Sequence, residues 1–141
     1  ILRFELERSL MDGSLTPAEL PLAWNEKFKA CFGLTPPSDA LGCLQDVHWS
    51  AGLIGYFPTY TLGNLLAAQF MERARAELPH LDEACRRGDF STLKGWLVNH
   101  IHRHGQRYRT AELCRLVTGH DLSAQPLLRH LRGKFVPLYR G

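Results

Sequence analysis

Runs of helical period, each closed by a glycine, constrain this chain more than any other feature. Leu2, Leu6 and Leu10 recur at i, i+4 and i+8 with charges between them, and Gly13 suits a left-handed helix stop. Thr16-Pro17-Ala18-Glu19 has the form of a capping box with Pro at the first helical position, and Pro21 predicts a restart there. Leu20, Trp24, Phe28 and Phe32 then form an apolar stripe that ends at Gly33. A long helix is predicted from Pro58 to Leu78, a short one from Leu81 to Arg87 before Gly88, and another from Ser91 to His104 before Gly105. Thr110 opens a helix that stops at Gly119, and Ser123 opens a last one that stops at Gly133. Around eight helices and no clear strand pattern place the chain in the all-α class, as an irregular multi-helix domain. The 141 residues are one domain's worth of chain.

The exception to this pattern lies at residues 33–58. Thr35-Pro36-Pro37-Ser38-Asp39 cannot be helical, so the segment reads as a long loop with a short extended piece near Leu41 to Leu44. Loops of this length are functional or disordered, and this one is rich in Trp, Tyr, Phe and Leu, which argues for function. It holds the chemistry. Gln45, Asp46, His48, Tyr56 and Tyr60 place a carboxamide, a carboxylate, an imidazole and two phenols within sixteen residues. Such groups steady a developing oxyanion. Asp46 can orient the His48 ring, and Trp49 can shield it from water. Gly55 and Pro58 bracket Tyr56, while Tyr60 sits at a helix start, where its hydroxyl can point into a cleft. Tyrosines in apolar runs also serve as core residues, and the residues alone leave both roles open.

Other constellations are weaker. His100, His102 and His104 invite a metal reading. No third ligand is evident near the i, i+4 pair, and Arg103 and Arg107 would repel a cation, so the rings suit the negative end of a helix dipole instead. No His precedes a Glu, so the H-E-x-x-H zinc helix is absent, as are a phosphate loop and a Gly-x-Ser-x-Gly elbow. Cys31, Cys43, Cys85 and Cys114 are widely spread among apolar neighbours and read as buried free thiols in a reducing, cytoplasmic setting.

No apolar run approaches the roughly 20 residues that cross a bilayer, and the amino terminus lacks a secretion-signal layout. Without a starting Met it reads as an excised or processed piece. Residues 1–90 carry 8 basic and 12 acidic side chains, net −4, and residues 91–141 carry 9 and 2, net +7. The basic residues are dispersed and do not alternate with aromatic ones, so they read as solvated surface plus a face that packs on an absent segment. No specific nucleic-acid partner is expected.

Gly42-Cys43-Leu44-Gln45-Asp46-Val47-His48-Trp49 resembles the G-x-x-Q-D-x-H-W signature of the Taq-type zinc metallocarboxypeptidases. Residues 54–65, Leu2-Arg3-Phe4-Glu5-Leu6-Glu7, Trp24-Asn25-Glu26-Lys27, Ile101-His102-Arg103-His104-Gly105 and Lys134-Phe135 are also similar to family text. The resemblance implies the carboxy-terminal portion of a larger, mostly helical enzyme that removes single residues from peptide carboxyl ends. It implies one zinc, or cobalt, held by an H-E-x-x-H helix and a later Glu, none of it bound by this chain. His48 would bind the polarised carbonyl oxygen, Tyr56 or Tyr60 would donate to the tetrahedral intermediate, and Gln45 and Asp46 would support the His48 loop on the substrate side. The isolated chain is then expected to be inert, and its apolar helix at residues 60–71 to drive dimerisation or other self-association. The alternatives are a non-catalytic helical module that binds peptide or protein and, less favoured, a basic nucleic-acid-binding domain.

Overall fold

The computed structural model describes residues 1–139. They form eight α-helices: α1 (Leu2–Asp12), α2 (Leu20–Phe32), α3 (Val47–Ser50), α4 (Pro58–Glu77), α5 (Leu81–Arg86), α6 (Ser91–His100), α7 (Thr110–Thr118) and α8 (Gln125–Tyr139). Three 3-10 turns, Asp39–Leu41, Cys43–Gln45 and His102–His104, complete the elements, and no strand occurs among the described residues. The all-α reading is correct. The chain divides into two compact units, residues 1–60 and the residues from Thr61 onward.

In the first unit α1 and α2 pack through Leu6 and Trp24, which bury with Cys43. Gly13 adopts φ 78°, the left-handed conformation that ends α1. The predicted capping box is present in part: Glu19 Oε2 accepts from the Thr16 N–H at 2.9 Å and from the Thr16 hydroxyl at 2.7 Å. The helix itself begins at Leu20, with Pro21 in its first turn, because a proline there needs no N–H partner. The far end of the stripe is not covered. Phe32 is exposed, and so is Cys31, contrary to the expectation that all four cysteines are buried. Both lie in the last turn of α2, beyond the buried cluster around Trp24. Cys43 and Cys114 are buried and Cys85 is half-buried.

Residues 33–58 are more ordered than a loop. The expected extended piece near Leu41 to Leu44 is instead two successive 3-10 turns followed by α3. A lone strand has no partner for its N–H and C=O groups, whereas tight turns satisfy them locally. Gly42 N donates to Asp39 O at 3.0 Å, and Gln45 N to Gly42 O at 3.1 Å. Gly42 is buried. A Cβ there would lie 3.3 Å from both Pro36 Cβ and Ser38 O and 3.4 Å from the Trp24 ring. Any larger residue would require Pro36, Ser38 or Trp24 to give by a few tenths of an ångström.

The second unit buries Ala74, Leu81, Trp96 and Val117. α6 presents the predicted face: Trp96 is buried and Leu93, Leu97, His100, Ile101 and His104 are half-buried. It ends at His100, and the 3-10 turn carries the face to His104 before Gly105. The first half of α4 is not buried. Leu62 is 48% exposed, Leu65 and Leu66 are half-buried, and the buried position there is the polar Gln69. An apolar helix buries only where neighbours reach it, and the packed cluster gathers lower down, around Phe70 to Leu78. The last helix does not stop at Gly133 but runs on to Tyr139 through Pro137. A glycine within a helix costs only about 1 kcal/mol relative to alanine, too little to end it unless the backbone turns left-handed.

A polar clasp sits at the exposed edge of this core. Glu77 accepts from the Trp96 indole N–H and pairs with Arg73 at 2.6 Å, while His100 stacks on Trp96 with ring centres 4.6 Å apart. The Trp96 hydrogen bond, and then Arg73, holds the Glu77 carboxyl below its ordinary value of 4.5. A lowered carboxylate value stabilises the fold above 4.5, and the gain disappears as pH falls through the folded-state value. Replacing Trp96 with Phe removes the donor, so part of its cost depends on pH. With the carboxylate 30% exposed, that part is about 1 kcal/mol at pH 7 and is smaller at pH 3. Urea unfolding of both proteins at the two pH values measures it; a difference that does not change with pH contradicts the assignment.

Candidate functional site

The site is built around Asp46, which is 1% exposed. Its backbone, at φ −78° and ψ 100°, makes it the N-cap of α3. Asp46 Oδ1 accepts from the backbone N–H of His48 at 2.8 Å and of Trp49 at 3.2 Å, which is how a short polar side chain opens a helical turn. The same oxygen lies 3.2 Å from His48 Nδ1. A carboxylate only accepts, so Nδ1 carries a proton and Nε2 is left for another partner. Asp46 Oδ2 pairs with Arg3 Nε at 3.3 Å. This contact supplies opposite charge without hydrogen-bond alignment, and Oδ2 accepts no hydrogen bond among the described residues. Arg3 also lies over the Trp24 ring, 5.7 Å from its centre.

Three rings cluster at His48, those of Tyr56, Phe57 and Tyr60. Tyr56 stacks on it with centres 5.5 Å apart at 28°, and Tyr60 meets it edge-on at 5.9 Å. The two phenol rings are 5.7 Å apart. The turn before α4 sets this spacing: Thr59 Oγ1 donates to Tyr56 O at 2.6 Å, and Tyr60 N to Phe57 O at 3.1 Å. His48 is half-buried, whereas Tyr56 and Tyr60 are 46% and 56% exposed. The cluster is an open wall, not a sealed interior. Partial desolvation, with the Tyr56 phenol adding to it, holds the Tyr60 hydroxyl above the ordinary value of 10.0. At neutral pH it is therefore a donor.

The sequence-predicted residues divide. Asp46, His48, Tyr56 and Tyr60 come together. Gln45 is exposed; its backbone N–H closes the turn, and its side chain makes no hydrogen bond among the described residues. Trp49 lies edge-on to Trp24 at 6.2 Å and flanks the site from within. Sequence reasoning missed Arg3 and Glu7, which come from α1. Glu7 is 5% exposed and accepts from the Trp49 indole at 2.9 Å and from the Gly55 N–H at 2.7 Å. The available signal was their i, i+4 spacing beside the buried Leu6, a charged pair on the edge of an apolar stripe. Among the described residues no group of three or more His, Cys, Asp or Glu side chains could hold a metal ion.

Residues 1–135 match the family model described as Carboxypeptidase Taq (M32) metallopeptidase, and the chain belongs to that family. It is 47% identical over 139 residues to thermostable carboxypeptidase 1 of Thermus thermophilus, covering 99% of this chain and 27% of that protein. Carboxypeptidase 1 of Bacillus subtilis is 38% identical, with 99% and 28% covered. Among solved structures, the M32 carboxypeptidase of Deinococcus radiodurans R1 superposes with a TM-score of 0.94 at 46% identity, over 99% of this chain and 28% of that one. Metallocarboxypeptidase 1 of Trypanosoma cruzi gives 0.91 at 44% identity, over 96% and 29%. The chain thus spans little more than a quarter of the relatives it matches.

Replacing Asp46 with Asn removes the charge that Arg3 faces and turns an acceptor-only group into one with donors. The expected cost is about 1–3 kcal/mol in urea unfolding, with the His48 ring signals broadened in NMR spectra. Unchanged stability together with an unchanged ring environment would contradict the central place given to this carboxylate.

Proposed function

We propose that this chain is the carboxy-terminal part of a metal-dependent carboxypeptidase, a segment of one larger domain, and supplies the oxyanion-stabilising wall of its active site. The reading rests on one observation: a His48 ring pinned through Nδ1 by a buried carboxylate, with two phenols stacked around it on an open surface. Releasing a single residue from a peptide carboxyl end requires attack on the last peptide carbonyl, and negative charge then builds on its oxygen. Doubly protonated, His48 offers Nε2–H to that oxygen. Asp46 stabilises the imidazolium, and Arg3 balances the Asp46 charge. Tyr56 or Tyr60 donates a neutral O–H to the same tetrahedral species. Preorganised donors of this kind cost little reorganisation at the moment of reaction.

A metallopeptidase family implies a bound metal, which supplies the activated water of metal-assisted hydrolysis. The residues of this chain do not fit that group, since no suitable donor cluster exists among those described. Zinc or cobalt is proposed to be held by residues outside this chain. The isolated chain is therefore expected to be inactive. A blocked dipeptide assay with added zinc or cobalt tests both halves of the reading. Chain 1–141 should release no product, and in the intact enzyme His48→Ala should lower kcat by about 100- to 1000-fold. Chelator-sensitive cleavage by the chain alone, or a fully active variant, would overturn it. A reducing, cytoplasmic setting belongs to the same reading and is supported by four unpaired cysteines; no described helix is long and apolar enough to cross a membrane.

Self-association is the second part of the proposal. A groove of about 380 Å³ lies open along α4 and α6, lined by Leu66, Phe70, Trp96, Leu97 and Ile101, with Leu62 exposed nearby in sequence. Open apolar surface of this kind favours burial against another copy. Light scattering of chain 1–141 should show a dimer or larger species that grows with concentration, and a strict monomer throughout would refute it.

A further inference from the structure

Glu7 is a buried carboxylate that the proposed chemistry does not use. Arg3, one turn away on α1, pairs with Asp46, and Lys27 pairs with Glu5. Glu7 itself takes part in two hydrogen bonds from opposite oxygens, Oε2 from the Trp49 indole at 2.9 Å and Oε1 from Gly55 N–H at 2.7 Å. A carboxylate held in the interior without a paired cation costs stability unless its bonds are good ones. The bonding pattern shows what that cost secures. Trp49 directly follows His48, and Gly55 directly precedes Tyr56. One side chain thus closes the 49–55 loop a single residue inside each of the two stacked rings.

The loop between them has little else to fix it. Residues 50–54 are exposed, and turn bonds from Gly52 N to Trp49 O and from Leu53 N to His48 O tie only its first half. We propose that Glu7 is a positioning residue that sets the His48–Tyr56 ring pair by clamping both ends of this loop; this rests on the oxyanion-wall reading above. The residue type follows from the geometry. Two N–H donors approach from two sides, and only a carboxylate accepts on both oxygens. A glutamine would turn an NH2 donor toward one of them.

The test uses the intact enzyme and kcat per folded molecule, with folding followed by circular dichroism. Glu7→Gln should lower kcat about 10- to 100-fold, the scale of a small misplacement of reacting groups, while KM stays within about twofold. Trp49→Phe keeps the carboxylate but removes one donor, and should give a smaller loss of the same kind. The double variant should be no worse than the worse single one, because both act through one clamp. If Glu7→Gln does not fold, the kcat and KM of Trp49→Phe decide the matter alone. A role in folding only predicts a lower folded fraction with kcat per folded molecule unchanged, and that result overturns the proposal, as do strictly multiplicative losses in the double variant. His48→Ala, run in parallel, separates the two claims. Full activity in that variant sinks the oxyanion-wall reading, whereas its loss alongside an unaffected Glu7→Gln sinks the clamp alone.

Discussion

Burial of the Asp46 carboxylate is the constraint from which the rest of the site follows. A carboxylate 1% exposed must find its partners locally, and Asp46 finds hydrogen bonds on Oδ1 and an opposite charge on Oδ2. Oδ1 collects two backbone N–H groups and one ring nitrogen, so a single atom starts α3, orients His48 and selects its tautomer. Oδ2 requires positive charge, which Arg3 brings from α1. A residue that only capped the helix could face water. One that is sealed has to be matched on every side, and this matching couples a four-residue helix to the long helices beneath it.

The two buried acids of this unit divide the work of holding the rings. Asp46 controls the direction of the imidazole, and Glu7 controls the backbone on either side of the loop that separates the imidazole from Tyr56. The aromatic groups then need little further restraint. Trp49 is wedged against Trp24 and Phe57, at 6.2 and 6.4 Å, and carries the rigidity of the α1–α2 core outward to His48. Edge-on and stacked ring pairs have preferred geometries, so a few fixed backbone points settle where several rings go.

The second unit has a different logic. Its core is formed by α4, α5, α6 and α7 and closed by a polar network at Gln69. Gln69 Nε2 donates to Thr118 Oγ1 and Asp121 O, and Oε1 accepts from Ser123 N, so one amide pins the connection between α7 and α8. The apolar residues one or two turns earlier on α4 have no comparable cover. A helix that is apolar all round is stable only where other surface packs on it. The partial exposure of Leu62, Leu65 and Leu66 is consistent with a chain that spans about a quarter of its relatives.

The fold class and most helix ends could be read from residue order, because helical periodicity and left-handed glycine stops are local physics. Gly13, Gly33 and Gly119 all adopt positive φ where stops were expected. The candidate segment was legible locally too, since its polar and aromatic groups are crowded into residues 45–60. Gly133 was misread because nothing local says whether a glycine will bend left or stay helical. The burial of α4 and the exposure of Cys31 and Phe32 could not be read from order at all, for burial depends on which distant segments arrive. The same holds for Arg3 and Glu7. Their contacts with Asp46, Trp49 and Gly55 bridge more than forty positions of sequence, as the 42- and 48-residue separations of the Glu7 bonds show. Residue order alone determined that this chain is helical and that its polar and aromatic groups crowd into one segment. Only the tertiary structure decided that two acids on the first helix and in the loop hold those groups in place, because buried charge finds its partners in space and not along the chain.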